Sequence, residues 1–369
     1  MRDERAGPPK GPYRSAQHEG TSMNAHDPIP SKKAPYASLT PTVVLDALDS
    51  VGLRGDGRLL QLNSYENRVF QVFLENGDVV VAKFYRPGRW SDAQILEEHE
   101  FSEELRTEEI PVLAPMTLTP DATSLMEPSV SGERPTLARV RVEGSDFRFA
   151  VTPRQAGRSP SLESAADLEW IGRFIGRIHA VGARRPFQWR RSFSVADFGW
   201  AAREQLCSQG VIPSDAERAW TAAADDALSQ AQRAFERVGP MPSIRLHGDC
   251  HAGNLLWTDQ GPHFVDLDDA INGLAVQDIW MLLSGDRNAA RQQLDSLLRG
   301  YEVFNDFDDR QIQLIEALRA VRMIHYSAWI ADRWQDPAFP AAFAWFGEAS
   351  YWLQQTQFLR EQSVRMSAS

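Results

Sequence analysis

The stretch Leu246-His247-Gly248-Asp249-Cys250-His251-Ala252-Gly253-Asn254-Leu255-Leu256-Trp257, followed by Phe264-Val265-Asp266-Leu267-Asp268-Asp269, concentrates the chain's chemistry. As a pattern it reads H-x-D-x-x-x-x-N, an apolar pair, then D-x-D-D closing an apolar run. These residue types at this spacing suit phosphoryl transfer, in which one carboxylate orients an attacking hydroxyl and accepts its proton. A short loop then returns an amide oxygen and a second carboxylate to Mg²⁺ on the nucleotide phosphates.

Outward from that stretch the chain changes texture. Upstream, Val69-Phe70-Gln71-Val72-Phe73-Leu74 and Val79-Val80-Val81-Ala82-Lys83-Phe84-Tyr85 read as strands joined by a hairpin at Asn76-Gly77. Residues 137–142 and 147–151 read as a second hairpin, closed by a turn or linker at 153–157. A short helix is predicted from Thr40 or Pro41, and another from an N-cap at Ser91 to Leu105. Beyond residue 157, segments 162–180 and 215–238 and the stretch from about 310 read as helices. The expected order is a strand-rich lobe over 37–153 and a larger helical lobe over 154–369, an α+β architecture. Residues 1–36, rich in Pro, Gly, Ser and charge, read as a disordered tail, with Met23 a possible start.

Composition narrows the class. The chain has 369 residues, 39 Lys+Arg against 50 Asp+Glu and a formal net charge of -11, which argues against general binding to nucleic acid or anionic membrane. No run of about 18 apolar residues is present, so no bilayer span is expected. Cys207 and Cys250 are too few for a disulfide framework, which fits a reducing cytoplasm.

The segments Leu62-Asn63-Ser64-Tyr65-Glu66-Asn67-Arg68-Val69, Ala82-Lys83-Phe84-Tyr85-Arg86-Pro87 and Ile95-Leu96-Glu97-Glu98-His99, with the two quoted at the outset, resemble the bacterial stress response kinase A family. That family belongs to the aminoglycoside-phosphotransferase and choline-kinase group. The resemblance runs from about residue 40 to the C-terminal aromatic segment and implies a two-lobed protein-kinase-like fold. It implies that Asp249 is the catalytic aspartate, that Asn254 and Asp266 are magnesium ligands with Asp266 acting beside Asp249, and that Lys83 contacts ATP phosphates. Ser64 matches an ATP-site position. Loop 63–68 contains no glycine, so the phosphate cover G-x-G-x-x-G is missing and the Ser64 hydroxyl and loop amides would replace it.

For the partner of Lys83, helical geometry at about 100° per residue puts Glu98 on the face of Ile95, Phe101 and Leu105 and Glu97 toward its edge, which favours Glu98. ATP is expected between the lobes near residues 152–157. The implied activity is that of an ATP- and Mg²⁺-dependent serine/threonine protein kinase, also autophosphorylating, monomeric and cytoplasmic, with a part in bacterial stress survival or cell-death control. Ser15, Thr21, Ser22 and Ser31 are accessible tail hydroxyls.

Rival readings stand beside this one. The same fold phosphorylates small alcohols such as aminoglycosides, choline or homoserine. A pseudokinase scaffold would use Trp329, Trp334, Trp345 and Trp352 as a partner surface. A zinc site at His247, Cys250 and His251 lacks a distant ligand pair. Asp268 and Asp269 are either further ligands or caps, and Asp278 is a structural cap or an anchor of the 247–254 loop.

Overall fold

The computed structural model describes residues 35–121, 129–131 and 135–367. Most of the expected tail, with Met23, Ser15, Thr21, Ser22 and Ser31, lies outside the described residues. Tyr36, read from sequence as the tail's last residue, is instead buried in the first lobe, and its hydroxyl donates to the Glu66 carbonyl at 3.0 Å.

Helix α1 (Pro41–Asp49) begins at Thr40, whose side chain accepts from the Val43 amide. Strands β1 (Gly55–Leu62), β2 (Arg68–Leu74) and β3 (Val79–Phe84) form a meander, with Asn76-Gly77 closing the second hairpin as predicted. Helix α2 (Asp92–Thr107) starts at Ser91 with a reciprocal capping box to Gln94. Strands β4 (Ser129–Ser131), β5 (Leu137–Val142) and β6 (Ser145–Pro153) complete a six-stranded antiparallel sheet of order β1-β2-β3-β6-β5-β4. Phe70, Val72, Ala82, Phe84, Phe147 and Phe149 pack on one face with Val44, Ala47 and Leu48 of α1. Because side chains alternate along a strand, Val81, Lys83 and Tyr85 point the other way and line the cleft below the sheet.

The second lobe contains α3 (Ala165–Gly182), α4 (Ala201–Ser208), which continues a π-helical turn at Ala196–Trp200, and α5 (Ser214–Val238). Four short strands follow: β7 (Ile244–Leu246), β8 (Leu255–Thr258), β9 (Gly261–Phe264) and β10 (Ile271–Gly273). The chain ends in α6 (Val276–Trp280), α7 (Arg287–Tyr301), α8 (Ile315–Asp332), α9 (Ala338–Ala342) and α10 (Ala349–Ser367). β7 pairs with β10 and β8 with β9, both antiparallel. These two ribbons bring residues 247–254 and 265–270 together. The α+β, two-lobed architecture expected from the sequence is the one observed. Trp220 and Trp352 meet edge to face at 5.5 Å in the helical core, so Trp352 supplies packing rather than a partner surface.

Candidate active site

The loop after β7 is fixed from beneath. Asp278 of α6 accepts the backbone amides of His247 and Gly248, both at 2.8 Å, and its carboxylate also meets His179 Nε2 at 3.0 Å. Asp278 is therefore an anchor of this loop. Gly248 has φ 83, and a Cβ there would lie 2.1 Å from the Asp269 carbonyl, so only glycine fits between His247 and Asp249. His247 spends its Nε2 on the Val265 carbonyl at 3.0 Å, tying the two halves of the motif together. Cys250 is buried, and burial pushes its thiol well up.

The loop aims Asp249 into the cleft. Asn254 Nδ2 donates to the Asp249 carbonyl at 3.0 Å and to Oδ2 at 3.3 Å, and His251 Nε2 lies 3.4 Å from the same oxygen. Arg322 of α8 donates to Asp249 Oδ1 at 2.6 Å. Burial acts to raise the Asp249 carboxyl, but Arg322, His251 and His247 outweigh it and hold the group well below the usual carboxylate range. Asp249 is a carboxylate at any working pH.

Asp266 follows β9 with a left-handed backbone, φ 60 and ψ 65, unusual outside glycine and a feature that clusters at functional sites. Lys83 donates to Asp266 Oδ1 at 2.8 Å and lies 3.7 Å from Asp268. Burial would lower the Lys83 ammonium, yet Asp266 and Asp268 raise it well above its ordinary value. Asp268 is buried, takes Arg89 at 2.5 Å and Asn67 at 3.1 Å, and leaves its Oδ1 without a hydrogen-bond partner among the described residues. Arg89 also binds Asp269.

The expected Lys83–Glu98 ion pair is not formed. Glu98 is buried on the cleft side of α2, as its helical position predicted, but its carboxylate takes the Ser102 hydroxyl at 2.9 Å while the Lys83 ammonium sits with Asp266 and Asp268. Burial raises the Glu98 carboxyl, only partly countered by Lys83 and Arg190. Glu97 points elsewhere and accepts the backbone amides of Trp189 at 2.8 Å and Arg190 at 2.9 Å.

Ser64, Lys83, Glu98, Thr152, Asp249, Asn254 and Asp266 line one cleft of about 1130 Å³. Sequence reasoning missed what spans it. Glu66, in loop 63–68, accepts from Trp329 Nε1 at 2.7 Å and Arg333 Nε at 2.6 Å, both on the C-terminal side of the cleft, and pairs with Arg86 at 3.0 Å. Arg86 in turn donates to Asp336 at 2.8 Å. Trp329 thus closes the cleft rather than forming an outer surface. Arg322, Arg89 and Glu66 carried no local signal, since each works through a partner far away in the chain.

A chain with this fold and this Asp/Asn/Asp cluster is a phosphotransferase, and the model of the phosphotransferase enzyme family (APH) matches residues 58–315. Stress response kinase A of Escherichia coli strain K12 is 40% identical over 328 residues, covering 89% of this chain and 94% of that protein. The serine/threonine protein kinase RdoA of Salmonella typhimurium is similar to the same extent, 40% over 328 residues, with 89% and 94% covered. The chain therefore belongs to the phosphotransferase enzyme family and, within it, to the stress response kinase A family. Among solved structures, an amicoumacin kinase in complex with AMP-PNP and Ca²⁺ shares the fold at TM-score 0.65 and 18% identity, covering 88% of this chain and 93% of that one. A microcompartment-associated aminopropanol kinase does so at TM-score 0.57 and 18% identity, with 86% and 98% covered.

Proposed function

We propose that this kinase transfers the γ-phosphoryl group of ATP to serine or threonine hydroxyls of proteins, using Mg²⁺ and Asp249. The observation that carries the reading is the convergence of Lys83, Asp249, Asn254 and Asp266 on one cleft. The donor set fits a hard cation. Asn254 commits its amide nitrogen to Asp249, which leaves the amide oxygen, and Asp266 is half-exposed to the cleft. Bound there, Mg²⁺ would supply neutralisation of the developing phosphate charge.

The chain's own groups do the rest. Lys83 contacts phosphate oxygens, and Ser64 and the amides of loop 63–68 cover them. Asp249 accepts a hydrogen bond from the acceptor hydroxyl and takes its proton as the new O–P bond forms and the bond to ADP breaks, so that phosphoprotein and ADP leave. The name of the Salmonella relative supports a protein acceptor, and that of the Escherichia coli relative a role in stress response. The structural neighbours, which act on small molecules, keep a small-alcohol acceptor as the second reading. The test incubates purified protein with radiolabelled ATP and Mg²⁺, with and without an added protein. Label in phosphoserine or phosphothreonine supports the proposal. Turnover only with small alcohols contradicts it.

A further inference from the structure

The acceptor end of the cleft, beyond Asp249, is walled by the π-helical turn and α4 on one side and by α8 on the other. Its charges are unevenly committed. Asp197 accepts the Ser194 hydroxyl at 2.6 Å, Asp332 is met by Arg333 at 3.2 Å, and Glu66 is held by Trp329 and Arg333. Arg191 lies with its guanidinium 4.4 Å over the Phe198 ring, and no carboxylate of the described residues pairs with it. On α8, Arg322 lines the same cleft and holds Asp249 Oδ1 at 2.6 Å. The ring of His325 lies 4.9 Å from that of Phe198, and its Nδ1 is buried without a hydrogen-bond partner among the described residues.

We propose that the acceptor of this site carries an anionic group close to its hydroxyl, received by Arg191 and Arg322. In the protein-kinase reading, on which the peptide form of this inference rests, the acceptor is a serine or threonine flanked by acidic residues. The anion draws the Arg322 guanidinium from Asp249 Oδ1 and so exposes that oxygen to the hydroxyl. A cationic acceptor meets two arginines and leaves Asp249 masked. The electrostatics of His325 agree: burial first, then Arg322, Arg191, Arg333 and Arg89 push its imidazole down to about 3, and it stays neutral in a surround of arginines.

The experiment compares three peptides in which one serine is flanked by Glu, Ala or Arg, together with D-glycerate and choline as small anionic and cationic alcohols. Wild type, Arg191→Gln and Arg191→Glu are assayed in parallel. The expected kcat/KM is at least about tenfold higher for the Glu-flanked than for the Arg-flanked peptide. That preference should fall in Arg191→Gln, where a charge-assisted hydrogen bond is removed, and reverse in Arg191→Glu, where repulsion takes its place. Equal or better use of the Arg-flanked peptide, or a ranking that Arg191→Glu leaves unmoved, overturns the inference and leaves the protein-kinase reading standing. Turnover of D-glycerate alone, abolished in Arg191→Glu, keeps the anionic acceptor and overturns the protein reading. Turnover of choline alone, or of none of the five, overturns both.

Discussion

At the scale of single residues, this protein places charged groups where only their neighbours keep them in the required state. Lys83 remains an ammonium in the cleft because Asp266 and Asp268 face it, and Asp249 remains ionised because Arg322 does. The opposite happens at His99. Its ring sits between Tyr85 and Thr136, both at 2.8 Å, and burial, with Lys83 and Arg190 nearby, pushes its pKa down to about 3. An unfolded chain takes up that proton near pH 6.5, whereas the folded one does not. The unfolded state thus binds more protons between those values, and the stability His99 contributes is complete above about pH 6.5 and lost as the pH falls. Melting temperature should drop between pH 7 and 5, and His99→Gln should flatten that slope in thermal melts. An equal slope in the variant contradicts the assignment. The residues proposed to act in the reaction carry a local signal, Asp249, Asn254 and Asp266 through their spacing and Lys83 near the end of an apolar strand, and all four line one cleft. Arg322, Arg89 and Glu66 were not, because each works through partners far along the chain.

Elements were legible where local chemistry marks their ends. Thr40, Ser91 and Asn76-Gly77 announced α1, α2 and the β2–β3 hairpin. β1 was not read: it is an edge strand, mostly exposed, with a register shift against β2 between Gly55 and Leu59, so no two-residue alternation survives in Gly55–Leu62. Helix α7 was missed although Leu294, Leu297, Leu298 and Tyr301 share a buried stripe, which its Gln- and Arg-rich remainder obscures. That helix lies unusually close to α3. A Cβ on Gly172 would come within 2.0 Å of the Leu297 carbonyl, a backbone group that cannot swing aside. Gly172→Ala should therefore destabilise the protein by about 1–3 kcal/mol, although alanine is the better helix former. Chemical denaturation reads this directly, and a stabilised variant would contradict the close approach.

On the scale of the whole molecule, the two lobes are joined across the cleft by buried ion pairs as well as by the chain. Glu66 from the loop between β1 and β2 is gripped by Trp329 and Arg333 of the helical side, and Arg86 reaches Asp336. Removing one partner of a buried pair leaves the others uncompensated, so Glu66→Ala should cost about 3 kcal/mol and raise the KM for ATP by loosening loop 63–68. Unchanged melting and an unchanged KM would show that the clamp contributes neither. The lobes matter because the proposed reaction needs groups from both: Lys83 from the sheet, and Asp249, Asn254 and Asp266 from the helical lobe. The most direct test of that claim is single-turnover phosphoryl transfer by Asp249→Asn beside wild type, with ATP affinity measured on the same samples. A general base acting in the transition state contributes about 10²–10⁴-fold, so the variant should lose at least a hundredfold in rate while binding ATP nearly as well. Transfer by Asp249→Asn at the wild-type rate would contradict the account.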